Sequence, residues 1–506
     1  MTGTNKTTKI ISATGNSLID GVLYGTAWGD ATITYAFPTS AGSYSYGPEK
    51  NVGFAAVSNA QINAALFTLE QSYGSAANDG FSVEGFTNVS FAAGDSSTAT
   101  IRMAQSDYSD IGTAYASMPG DFVDSGDVWF GTGYDYRNPV AGSYAWHTMI
   151  HELGHALGLK HGHETDGFGA LPTAYDSLEY SLMTYRGYVG DTGDSYTYEE
   201  YGAPQTFMMA DIAALQEMYG ADYTTNSGNT VYKWTPSSGQ TIVDGDVAIA
   251  PGADPSANRI FATIWDGDGN DTFDLTAYSD DLKIDLRPGK ASLFSEDQLA
   301  FLGYTDENVH YARGNIFNAL LHDGDLRSLI ENAKGGSGSD RITGNQVGNS
   351  LQGYSGNDTL NGEGGSDVLI GASGADRLSG GAGADRLYGG AGADDLIGGA
   401  DADMFLFKLR TESTVPASGR DTIFDFSASQ GDRIDLSAID ANSKVTSNQA
   451  FAFLGNAAFT GAAAELRYVK GSSDTYVYGD VNGDKAADFA VHLDDALTLQ
   501  KSYFIL

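Results

Sequence analysis

Apolar residues at 146, 149, 150, 153, 156 and 157 recur at helical spacing, so this stretch predicts an α-helix with one stripe turned to a core. Ile62, Ala65, Leu66 and Leu69 predict a second amphipathic helix over 62–73, and Ile212, Leu215 and Met218 a third over 207–219. Elsewhere in the first half the period falls to two. Residues 32–37 alternate as a strand, and further strands are expected at 87–93, 98–103 and 127–130. This mixture predicts an α+β domain over 21–250. From 251 to 506 the chain is rich in strands and turns and shows no long helical pattern.

The most regular pattern lies at 335–406, where a nine-residue unit recurs eight times, as in GGSGSDRIT (335–343) and GGAGADRLY (380–388). Its form is Gly-Gly-x-Gly-x-Asp-x-apolar-x, the repeat of calcium-binding parallel β-rolls. Each unit spends six residues on a turn and three on a strand, and two units complete a coil, so all-β architecture with about four coils is expected. The eighth position carries Ile342, Leu351, Leu360, Leu369, Leu378, Leu387, Leu396 and Phe405, which would stack inside. The sixth carries Asp340, Asp358, Asp367, Asp376, Asp385, Asp394 and Asp403, with Asn349 in the remaining unit. Carboxylates and turn carbonyls from successive coils can enclose Ca²⁺, a hard ion that prefers oxygen ligands. With 10 acidic and 3 basic residues, net −7, this stretch is expected to fold when calcium binds. A disordered glycine-rich linker would not keep apolar residues in phase. Residues 266–275 look like a divergent calcium turn entering a strand. Asp480, Asn482, Asp484 and Asp488 have either calcium-ligand spacing or that of a polar hairpin turn.

At 506 residues the chain is too long for a single ordinary core. Its net charge of −38, from 65 acidic and 27 basic residues, excludes nucleic acid as a natural partner and argues against anionic membrane surfaces. Glycine numbers 65, as a turn-built segment demands. There is no cysteine, hence no disulfide and no thiol-based latency. The first 16 residues lack the apolar run of a secretory signal peptide, and no window reaches the length of a membrane span.

Chemistry concentrates at 151–161, which reads HELGHALGLKH. His151 and His155 lie about 40° apart and about 6 Å along a helix, so both imidazoles can reach one ion. His161, six residues on, would face roughly 240° round a continuing helix. A turn must bring it back, and Gly158 stands where positive φ is needed. Three histidines leave a fourth zinc position for water, and Glu152 is placed to take that water's proton. With the third histidine and a downstream methionine turn, Ser181-Leu182-Met183-Thr184-Tyr185, this is a metzincin signature. His147 and His163 are expected beside the ligand set rather than in it.

Over nearly its whole length the chain resembles the serralysin family of secreted bacterial zinc metalloproteases. The resemblance implies a metzincin catalytic domain at 21–250 and a calcium-binding β-roll domain at 251–506, after a short propeptide within 1–20. It implies zinc on His151, His155 and His161. Tyr185 would be a further ligand that moves during turnover to stabilise the oxyanion, and Met183 the floor beneath the metal. A strand at Val128-Trp129-Phe130 would form the upper rim of the cleft and pair with extended substrate, unless it is an ordinary sheet strand. Broad hydrolysis of protein or peptide substrates by a secreted monomer is implied. So is export by a type I exporter that reads an uncleaved C-terminal signal. The chain ends in apolar residues, but the nearest acids are Asp494 and Asp495, a partial match. Gly162 and His163 follow the third histidine where the family usually has proline next, and Arg186 replaces a frequent tryptophan. The alternative is a non-catalytic calcium-dependent surface or adhesion protein with a degenerate protease domain.

Overall fold

The computed structural model describes residues 6–193, 195–305 and 308–506; the first five residues of the expected 1–20 segment lie outside this range. The chain divides into two compact units. One runs to Asp271 and takes in Pro288–Leu329; the other comprises Thr272–Arg287 and Ile330–Leu506.

The first unit is built on a twisted sheet. Strands β1 (Thr32–Ala36), β2 (Ser90–Ala93), β3 (Ile101–Gln105), β4 (Ala114–Ala116) and β5 (Asp127–Phe130) stand in the order β2-β1-β3-β5-β4. The first four in that order are parallel, and β4 closes the sheet antiparallel to β5, with Tyr115 opposite Trp129. Helix α1 (Asn59–Leu69) starts three residues before its apolar stripe because Ser58 and Gln61 form a reciprocal capping box. Helix α2 (Tyr144–Leu157) is capped by Ser143 and is buried along nearly its whole length, not along one stripe alone. Helix α3 (Met209–Tyr219) begins where Asp211 accepts the Met208 N–H at 3.0 Å. Residues 6–29 are knit into this unit: Thr8–Ile10 pairs antiparallel with Thr26–Trp28, and Lys6 donates to the Thr100 and Ser125 carbonyls.

Pro288–Leu329 has no nine-residue register, and it packs with the first unit. Leu299, Leu302, Ala312 and Phe317 share a buried cluster with Leu178, Tyr180, Met208 and Phe261. Arg313 closes it with an ion pair to buried Glu179 at 2.8 Å.

In the second unit successive repeats alternate between two parallel sheets. Ser350–Ser355, Val368–Ser373, Arg386–Ala391 and Met404–Leu406 stack in one sheet. Arg341–Thr343, Thr359–Asn361, Arg377–Ala382 and Asp395–Ala400 stack in the other. Partners are 18 residues apart, Leu369 with Leu387 for example, which is two units per coil. All eight side chains at the eighth position, Ile342 through Phe405, are completely buried. The roll is finished by β6 (Thr422–Ile423), β7 (Thr475–Asp480) and β8 (Phe489–Leu493), with β8 between the other two.

Candidate metal centre and cleft

Helix α2 ends as its sequence demands. Gly158 adopts φ +113°, and a Cβ there would lie 2.6 Å from the Thr26 carbonyl oxygen and 2.9 Å from Met218 Sδ. The reversal brings His161 back to the helix, and the Nε2 atoms of His151, His155 and His161 converge to 3.0–3.2 Å from one another. Each Nδ1 faces an oxygen: the Leu182 carbonyl at 3.0 Å from His151, the Leu159 carbonyl at 2.8 Å from His155, and Glu164 Oε1 at 2.9 Å from His161. Those acceptors hold the Nδ1 protons and leave three Nε2 lone pairs aimed at one point. Burial and the neighbouring imidazoles hold His151 well below the ordinary range, and burial lowers His155 to about 3, so both rings are neutral. Converging lone pairs need a cation. Tetrahedral zinc with bonds of ~2.05 Å sets donor separations of roughly 3.3 Å, close to those found.

Glu152 is buried beside them with Oε2 lacking a hydrogen-bond partner, and burial pushes its carboxyl up to about 8 against a countering Ala116 N–H. Met183 lies beneath α2, where Gly154 makes room: a Cβ at Gly154 would sit 2.6 Å from its sulfur. The methionine turn is fixed from α3, since Asp211 accepts Ser181 Oγ at 2.6 Å and the Leu182 N–H at 2.7 Å. The Leu182 carbonyl in turn serves two rings, His151 and His147. Held also by the Tyr198 hydroxyl at 2.8 Å, His147 has both nitrogens engaged and is not aimed at the centre. His163 packs its ring on His161 and Tyr185, at centroid distances of 5.3 and 4.9 Å.

Tyr185 stands at the mouth of this centre, its ring 4.6 Å from His161 and 6.1 Å from His151. Burial, with the Glu152 charge, pushes its phenol up to about 12, so it keeps its proton. These groups open on a cleft of about 550 Å³ whose walls include Thr113, Ala114, Tyr134, Tyr144, Tyr196 and Tyr198. Of the two readings open for Val128-Trp129-Phe130, the ordinary sheet strand holds. Val128, Trp129 and Phe130 in β5 are buried between β3 and β4, so no substrate can pair with them; the edge is β4. Thr113 and Ser117 bond towards β5, which turns the peptide groups of Ala114 and Ala116 to the open side. The tyrosines at 196 and 198, Glu164 and Asp211 escaped the sequence reading; a tyrosine-rich run after the methionine turn was the available signal.

In the roll the sixth-position aspartates form a ladder. The Asp358 Oδ1 accepts the Asp340 N–H at 2.8 Å, and the pattern repeats every 18 residues. The second oxygens of Asp358, Asp367, Asp376, Asp385, Asp394 and Asp403 are buried without a hydrogen-bond donor. At Gly371 the point a Cβ would occupy lies 2.2 Å from Asp376 Oδ2 and 2.7 Å from the Gly389 carbonyl oxygen. Donor-free anionic oxygens beside carbonyls on a glycine-lined space suit calcium. Asp340 differs, because Gly336 N–H already occupies its Oδ2 at 2.7 Å. Asp421, outside the repeats, shares the donor-free arrangement. Asp480 and Asp488 spend their oxygens on the N–H groups of their own turn.

The family described as peptidase M10 serralysin C terminal matches residues 221–506. Metalloprotease AprA of Pseudomonas entomophila is 35% identical over 75% of this chain and 68% of its own length. Serralysin G of Dickeya chrysanthemi and metallopeptidase AprA of Pseudomonas marginalis are each 33% identical, over 94% of this chain and 86% of theirs. The chain belongs to the serralysin family. It is accordingly a metalloprotease whose C-terminal region is a β-roll. Among the described residues no helix is long and apolar enough to cross a membrane.

Proposed function

We propose that this serralysin is a secreted zinc endopeptidase of broad specificity, with a metzincin catalytic domain and a calcium-stabilised roll. The observation that carries the proposal is the convergence of three imidazole Nε2 atoms to 3.0–3.2 Å beside buried Glu152. His151, His155 and His161 would hold the zinc, with Tyr185 as the mobile fourth protein group. When bound, the ion supplies a Lewis acid that acidifies water and polarises a peptide carbonyl. Beside the cation, whose charge would return it to the carboxylate form, Glu152 takes the proton of the attacking water and delivers it to the departing amine nitrogen. The protonated Tyr185 hydroxyl donates to the oxygen on which negative charge develops. Substrate lies extended along β4, bonded through the outward peptide groups of Ala114, which tolerates many side chains.

Asp358, Asp367, Asp376, Asp385, Asp394 and Asp403 would bind calcium, joined by Asp421. Scarce calcium inside the cell leaves the roll open for passage through a type I exporter, and abundant calcium outside closes it. Phe504–Ile505 pairs with Ile434 and Asp435 in the finished roll, which supports export ahead of folding. A zinc-selective chelator in excess calcium tests the enzyme reading: hydrolysis of a denatured protein should stop and return when zinc is restored. Undiminished hydrolysis by the zinc-free chain would refute it.

A further inference from the structure

The second unit gathers another set of metal-ligating side chains far along the sequence from the first. In the antiparallel pair β7–β8, Tyr476 stands opposite His492 and Thr475 opposite Leu493. Extending that register places Asp474, just before β7, opposite Asp494, just after β8. Alternation puts Asp474, Tyr476, His492 and Asp494 on one face. One ring nitrogen of His492 and one carboxylate oxygen each from Asp474 and Asp494 lie within 4.8 Å of one another. His492 Nε2 is 3.0 Å from Asp474 Oδ1.

The histidine is held as a ligand would be. On its other side Thr422, its partner in β6, brings Oγ1 to 3.2 Å from Nδ1. With the hydroxyl accepting, Nδ1 keeps the proton and Nε2 turns its lone pair towards the two carboxylates. The ring also stacks on Tyr476 at a 4.8 Å centroid distance and 21°, and Arg420 covers Tyr476 from beyond at 4.9 Å. Its orientation is therefore set by neighbours outside the ligand set. The catalytic centre uses the same device at each of its histidines.

We propose that Asp474, His492 and Asp494 form a second transition-metal site, which takes a borderline divalent cation such as Zn²⁺ and completes its shell with water. One imidazole with two carboxylates excludes calcium as the preferred occupant, because calcium selects oxygen-only shells. Bonds of ~2.1 Å in a tetrahedral shell set donor separations of roughly 3.4 Å, so closure by at most about 1.4 Å from the 4.8 Å limit suffices. Three ligands, one of them exposed, make the site weaker than the buried centre. Bound there, the ion ties the turn before β7 to the end of β8.

The test is equilibrium dialysis of Zn²⁺ against the full-length, calcium-saturated chain carrying Glu152→Gln to prevent self-cleavage. Two zinc ions per chain are expected, one tight and one weaker. His492→Ala, and independently the surface change Asp494→Asn, should weaken only the second by at least tenfold. His163→Ala, beside the catalytic ligands, should leave it intact. A single zinc per chain that both β7–β8 variants leave in place overturns the proposal, as does a second ion that survives both variants or disappears with His163→Ala. Failure of the catalytic reading would look different, since the tight ion would then be the one missing.

Discussion

Tyr185 is protonated, oriented by the His161 ring and open to the cleft, so its hydroxyl can serve the developing oxyanion. Tyr185→Phe keeps the ring and removes only that donor. It should lower kcat by about 10²-fold, the usual cost of one oxyanion donor, with little change in KM. Steady-state kinetics on a peptide substrate checks this, and an unchanged kcat would remove Tyr185 from the mechanism. At this scale the convergence of His151, His155 and His161 was readable from spacing, because i, i+4 geometry and a glycine turn are local properties. The Nδ1 acceptors were less readable. Leu182 and Leu159 act through backbone carbonyls, which carry no mark in the side-chain alphabet.

At the scale of elements, β4 presents Ala114 to the cleft while Ala116 N–H is spent on Glu152. Ala114→Pro removes an outward donor at an edge where proline can be accommodated. Losing one substrate hydrogen bond of about 1 kcal/mol should raise KM roughly fivefold and leave zinc content unchanged. An unaltered KM would show that β4 does not bind substrate backbone. The sequence marked 127–130 as a strand correctly but left open whether it was the rim or an ordinary sheet strand, and it is the latter. Alternation identifies a strand, but its neighbours are set by distant chain, here the short β4. Likewise Pro288–Leu329 lacks the nine-residue register, and nothing local shows that its apolar residues complete the cluster around Phe261.

At the scale of the whole molecule, the proposed calcium sites would couple folding of the roll to cations and protons. Burial raises the carboxyls of Asp358, Asp367, Asp394 and Asp403 to about 7, and those of Asp376 and Asp385 to about 6, from 3.8. A raised folded value means that the protonated form is favoured by folding. Stability from these groups is therefore full below pH 3.8 and is lost as pH rises through 6–7. The calcium-stripped chain should show β-roll circular dichroism near pH 5 and lose it near pH 8, where added calcium restores it. Greater order at pH 8 than at pH 5 in the stripped chain would contradict the assignment. The repeat made this half of the fold legible in advance, since one apolar position per unit fixes both register and interior.

The central claim is that Glu152 performs proton transfer beside a zinc held by three histidines. Zinc content and peptide hydrolysis measured together on the Glu152→Gln chain test it most directly. The account predicts tight zinc retained at the wild-type level with turnover reduced at least 10²-fold. Near-normal turnover in the zinc-loaded variant would contradict it.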